Sequence, residues 1–257
     1  PVDKMRRRLD QLGRLVRPAR HVAIEKTEIA GLHAEWYRPE AATPGKVLLY
    51  IHGGAYALGS CDSHRKLVTH IARAAGIEAV LFEYRLAPEH PFPAGLDDTL
   101  AAYRALLDKG FSAEDVFIGG DSAGGGLTMA LLLQLRHAGM DLPRAAVMLS
   151  PFLDMTASGE SVKTRAQQEP WFNAEDVVVV IRHYCPDQDL KNPLLSPVYA
   201  NVAGMPPMLI QVGDDEILLS DSTRIADKLT AAGCDVQLEV FPEMWHVFQL
   251  FVGKMPE

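Results

Sequence analysis

Two rhythms of apolar residues alternate along most of the chain. Short apolar runs at 46–51 (KVLLYI), 78–82 (EAVLF), 115–119 (DVFIG), 145–150 (AAVMLS), 207–212 (PMLIQV) and 236–241 (VQLEVF) have the length and composition of buried strands. Between them, 64–75, 95–108, 123–138 and 221–232 read as helices. Strands alternating with helices in this way predict an α/β fold built on a mostly parallel sheet with helices on both faces. The rhythm breaks at 154–206, where Pro170, Pro186, Pro193 and Pro197 fall and Trp171 and Phe172 stand side by side. The first part of that stretch, to about residue 195, is expected to lie over the sheet as an insertion. Leu9, Leu12, Leu15 and Val16 recur at helical spacing among arginines, so an amphipathic N-terminal helix is expected to join it.

Composition narrows this picture. With 257 residues, 48% of them hydrophobic, the chain can bury one large core and suits one domain with an insertion better than two domains. The longest apolar stretches, such as Leu127 to Leu133, fall far short of the ~20 residues of a membrane-spanning helix. The net charge of −8 is uneven: residues 1–26 carry +5 and the rest −13. Because the basic residues of that segment are interleaved with leucines, a solvated helix face is expected rather than a nucleic-acid site. Cys61, Cys185 and Cys234 are odd in number and far apart, in no metal-ligand spacing, which predicts three free thiols and no structural zinc. A cytoplasmic location is the accompanying expectation.

Candidate chemistry concentrates in "VFIGGDSAGGGLTMALLLQL", 116–135. An apolar strand enters Gly120-Asp121-Ser122-Ala123-Gly124 and leaves directly as a helix, the context of a G-x-S-x-G turn that lifts a nucleophilic serine above a sheet. Glycines two residues either side of Ser122 remove side chains that would collide there, and the helix N-terminus faces the position where negative charge develops. Neither a phosphate-binding loop nor a dinucleotide fingerprint fits these glycines. Earlier, "LLYIHGGAYALGS", 48–60, ends a strand in His52-Gly53-Gly54, where small residues allow backbone amides to approach a substrate oxygen. Gly53, Gly54 and Ala123 are therefore the expected oxyanion donors. His52 is expected to brace its loop, and Asp121 to brace loops beside the serine.

Taken together, His52-Gly53-Gly54-Ala55-Tyr56, Tyr84-Arg85-Leu86-Ala87-Pro88-Glu89 and Gly120-Asp121-Ser122-Ala123-Gly124-Gly125 resemble the bacterial hormone-sensitive lipase family of α/β-hydrolases. The resemblance extends from about residue 30 to the C-terminus. It implies an α/β-hydrolase core with a helical cap, no cofactor and carboxylesterase activity on short-chain acyl esters; homodimers are frequent in such families, but nothing in the sequence specifies an interface. The corresponding division is a cap segment at 1–35, core at 36–153, cap insertion at 154–195 and core again at 196–257. A lactone hydrolase, deacetylase or amidase would carry the same machinery, and a non-catalytic receptor for a small ligand is the remaining alternative.

In this superfamily the catalytic groups run in the order serine, acid, histidine. Of the nine histidines only His246, in "FPEMWHVFQL", follows the acidic loop "VGDDEILLSD" at 212–221, so it is the expected base. Within the loop, Asp221 reads as a helix cap or first-turn charge and Asp214 as a loop charge. Glu216 fits the family's acid-x-Leu pattern through Leu218 and stands 30 residues before His246; Asp215 is the alternative, since the loop is one residue longer than usual. Tyr56, Trp171 and Phe172 are candidates for the pocket wall.

Overall fold

The computed structural model describes residues 2–253. Its centre is an eight-stranded sheet in the order β1-β2-β4-β3-β5-β6-β7-β8. The strands are β1 (Val22–Ile29), β2 (Leu32–Pro39), β3 (Val47–Ile51), β4 (Glu78–Phe82), β5 (Val116–Asp121), β6 (Ala145–Leu149), β7 (Met208–Gly213) and β8 (Val236–Phe241). From β3 to β8 all neighbours are parallel, whereas β1 and β2 form an antiparallel hairpin that docks on β4.

Period-two burial assigns side chains to the two faces. On β3, Val47, Leu49 and Ile51 point into one core while Leu48 and Tyr50 point into the other. The first core takes its helical cover from α3 (Ala94–Asp108), α4 (Ala123–His137) and α7 (Leu219–Ala231); the second takes it from α2 (Cys61–Ala75). Helix α4 is buried on nearly every side, which explains its continuous apolar sequence without a polar face. Each parallel strand therefore delivers its C-terminal end to one rim of the sheet, where active sites of such folds collect.

Six strands lie within two residues of their expected positions. The hairpin does not follow the expected division: β1 is part of the sheet, so of residues 1–35 only α1 (Val2–Leu15) and its linker stand outside it. Its two-residue turn, Ala30-Gly31, has positive φ at both positions, the geometry that matches strand twist. Residues 154–195 hold two helices, α5 (Ser161–Thr164) and α6 (Ala174–Tyr184). Asn173 and Asp176 close a reciprocal capping box at the start of α6. All three cysteines are free. No helix among the described residues is long and apolar enough to cross a membrane.

Candidate functional site

Ser122 sits between the end of β5 and the first residue of α4 at φ 50° and ψ −119°, a strained backbone held by its neighbours. Its amide donates to Leu149 O at 2.9 Å, and its carbonyl accepts from the amides of Phe152 at 3.0 Å and Gly126 at 3.1 Å. A Cβ at position 124 would lie 2.0 Å from Ile51 O, and one at 120 would lie 2.5 Å from both Ile51 O and Gly124 C. Backbone crowding at both places leaves glycine as the residue that fits.

Ser122, His246 and Glu216 come together across 94 and 30 residues of sequence. His246 Nε2 lies 2.9 Å from Ser122 Oγ, and its Nδ1 lies 3.0 Å from Glu216 Oε2. Glu216 is fully buried; its Oε1 accepts from the Gly213 amide and from Ser150 Oγ, both at 2.6 Å. Ser150 Oγ also accepts from the Val247 amide at 3.1 Å, which ties the histidine loop to the same carboxylate. The alternative acid, Asp215, is half-buried and fixed through its amide to Met244 O; the structure does not bring its carboxylate into a hydrogen bond with His246. Asp214 pairs with Arg165 at the loop surface.

Opposing influences act on His246. Burial favours the neutral ring, but the hydrogen bond and charge of Glu216, with Glu169 and Asp121 adding, push its pKa above the usual imidazole value. The arrangement can move a proton from the serine hydroxyl to Nε2 while Glu216 holds the other nitrogen as donor.

The expected oxyanion donors divide. The Gly53 amide is already used: it donates to Asp121 Oδ1 at 3.1 Å, so Gly53 is corrected from donor to support. Among the described residues the amides of Gly54, Ala55 and Ala123 donate no hydrogen bond, which leaves them free for an incoming oxygen. Gly54 adopts φ +117°, and a Cβ there would meet Leu58 O at 2.4 Å. Asp121 supports this loop as expected, accepting also from Tyr50 Oη at 3.0 Å and lying 3.3 Å from His64 Nε2. Although burial opposes its charge, His64 and Tyr50 hold its carboxyl below the usual range. His52 is buried and stacked on Tyr84, and burial drives its pKa down to about 3, so it is a neutral ring that shapes the loop.

Pocket candidates also divide. A cleft of about 510 Å³ is lined by Val2, Met5, Ala55, Leu58, Trp171 and Phe172, with part of α6. Phe172 stacks on His246 at 5.7 Å, which joins the cleft to the serine. Trp171 is exposed at its rim and packs on Phe251, as does Trp245. Tyr56 is not in the wall: it is buried behind it, stacked on Tyr184 with ring centres 3.8 Å apart.

Among the described residues two clusters place three potential metal-ligand atoms within 4.8 Å of one another, His33-Cys61-Glu83 and Glu169-Glu216-His246. In the first, burial and Glu83 push the Cys61 thiol far up, away from the thiolate a metal takes. In the second, both His246 nitrogens are already engaged. Asp221 is a first-turn residue of α7, as the sequence suggests, but it is buried and caps no helix: its Oδ2 accepts from the amides of Leu153 and Asp154. Glu169, with no motif around it, went unnoticed in the sequence; only its fold neighbours reveal it.

The profile of the α/β-hydrolase fold family matches residues 48–250. An acetyl-hydrolase of Streptomyces hygroscopicus is 43% identical over 224 residues, 87% of this chain and 75% of that protein. A crystal structure of an esterase from the bacterial hormone-sensitive lipase family superposes with a TM-score of 0.96 at 43% identity, covering 100% of this chain and 86% of that one. The structure of EstE5 soaked with p-nitrophenyl butyrate gives a TM-score of 0.95 at 42% identity, with the same coverage.

Proposed function

The chain belongs to the bacterial hormone-sensitive lipase family of α/β-hydrolases, and from that premise we propose that it is a serine carboxylesterase acting on small, short-chain acyl esters. The observation that carries this reading is the hydrogen-bonded chain Ser122–His246–Glu216 at 2.9 and 3.0 Å.

Ser122 Oγ attacks the ester carbonyl carbon as its proton passes to His246 Nε2, and the carbonyl π pair becomes an alkoxide. The amides of Gly54, Ala55 and Ala123 receive that charge, at the positive end of α4. Collapse breaks the bond to the alcohol, which leaves with the proton from Nε2, and an acyl-serine remains. Water then gives a proton to Nε2 and attacks the acyl carbon; a second tetrahedral alkoxide collapses, Ser122 recovers the proton, and the carboxylic acid departs. Glu216 keeps Nδ1–H as donor and stabilises the imidazolium in both halves. Helix α1 and residues 154–195 form the cap in this reading, and with the loop at 55–58 they line a mostly apolar cleft suited to the acyl or alcohol group of a small ester.

Ser122→Ala is expected to lower kcat/KM on a short-chain nitrophenyl ester by at least about a thousandfold, with the unfolding midpoint little changed. Full retention of hydrolysis would remove the nucleophile from this scheme. A panel of acetyl, butyryl and octanoyl esters beside a lactone and an anilide tests the substrate class, with the short esters expected to be turned over fastest.

A further inference from the structure

One buried carboxylate beside the histidine has no task in that scheme. Glu169 lies between α5 and α6, 8% exposed. Its carboxylate, that of Glu216 and the His246 ring each place an atom within 4.8 Å of the others. One Glu169 oxygen accepts from the Trp171 amide at 2.9 Å; the other is buried without a hydrogen-bond partner among the described residues. The His246 amide also faces this carboxylate. No ion pair links Glu169 to a lysine or arginine among the described residues, and Arg165, four residues earlier, is engaged by Asp214.

A carboxylate withdrawn from water is costly unless donors or an opposite charge compensate it. Here the one group that gains a positive charge is the imidazole, and it gains it when Ser122 gives up its proton. The same short segment supplies the Phe172 ring that stacks on His246. Residues 169–172 therefore flank the histidine, with the Glu169 carboxylate close to that of Glu216 and the Phe172 ring stacked on the imidazole.

Resting on the reading of His246 as general base, we propose that Glu169 is a positioning residue: a second carboxylate, carried by the insertion, that holds His246 in place and shares with Glu216 the charge of the transient imidazolium. Burial, followed by the nearby Glu216 charge, keeps its own carboxyl above the usual range in the resting state. A positive ring next to it draws it toward the ionised form, so its help is largest as the proton moves. The other charged groups acting on the ring are Glu216 and Asp121.

The test is a pH profile of kcat and KM on a short-chain nitrophenyl ester, with the full chain and the variants Glu169→Gln, Glu169→Asp and Ser122→Ala. Glu169→Gln is expected to lower plateau kcat roughly tenfold, the size of one charge-assisted interaction, with KM within about twofold. Its acid limb in kcat/KM moves to lower pH, because His246 loses a neighbour that favours its protonated form, while Glu169→Asp keeps the limb where it is. A Glu169→Gln profile that coincides with the parent, or one in which KM alone rises, overturns the assignment. Should that variant fail to fold by circular dichroism, Glu169→Met, neutral and of similar shape, is read the same way, and an unmoved limb there overturns it too. The Ser122→Ala arm separates the two levels: hydrolysis surviving there removes the underlying scheme, whereas an inactive Ser122→Ala beside a parent-like Glu169→Gln removes the role of Glu169 alone.

Discussion

Glu216 has both oxygens engaged, one by His246 and the other by Gly213 and Ser150, so its removal leaves donors unpaired as well as a histidine unheld. Glu216→Ala is therefore expected to reduce kcat roughly 10³- to 10⁴-fold, while Asp215→Ala stays within about threefold; steady-state rates on a nitrophenyl ester distinguish them. The pH sign follows from the ring. His246 accepts a proton only when neutral, and its pKa is raised overall, so kcat/KM should climb with pH through a midpoint above that of a free imidazole, about 6.5. At this scale the meeting of Ser122, His246 and Glu216 was legible because each has chemistry that only a few positions of the chain can supply in that order. Gly53 was misjudged because a sequence shows that an amide is unhindered but not where it points; Asp121 had already taken it. Tyr56 was misjudged for a similar reason, since an aromatic beside a glycine pair packs backward onto Tyr184 as readily as it lines a cleft.

Elements impose a second set of constraints, clearest at the start of α7. Asp221 there and Asp154 are both buried, yet Arg224 pairs with Asp154, 2.7 Å away. One cation serves two carboxyls, and burial, with the Asp154 charge opposing ionisation, raises Asp221 to about 8. An unfolded aspartate titrates near 3.9, so Asp221 holds its proton on folding; the stability this gives is present below about pH 4 and is lost as pH rises through about 8. Thermal melts of Asp221→Asn, whose amide oxygen can still accept from Leu153 and Asp154, should decline less between pH 6 and 8 than those of the parent. The hairpin β1–β2 shows why some elements escaped the pattern. β1 is an edge strand, largely exposed and rich in charge, so it lacks an apolar run. β2 buries Glu35, whose charge is met by Arg65 and Tyr37 Oη, contacts that sequence spacing does not disclose.

Across the whole molecule, α1 is held to the core by polar ties rather than by a buried face. None of its residues is buried, yet Arg6 donates to Ala57 O at 2.8 Å and Ala87 O at 2.7 Å and grips Glu89 with both terminal guanidinium nitrogens, Nη1 and Nη2. Asp10 and Arg14 reach Ser60 and Asp62 at the start of α2. Because Val2 and Met5 line the cleft, Arg6→Ala is expected to raise KM several-fold with kcat within about twofold, measured on the same ester. The parallel sheet and its helix cover were visible in the alternation of runs, whereas the attachment of α1 was not, since it depends on arginines whose partners lie some 50 to 80 residues away. The tryptophans give the molecule one more property. Trp36 is buried beside Phe111, while Trp171 and Trp245 both touch Phe251 near the cleft rim. One of the chain's three indoles thus lines the cleft and a second packs on the same phenylalanine behind it, so occupancy of the cleft should be readable without any label, as a change in emission and in its quenching by a small solute.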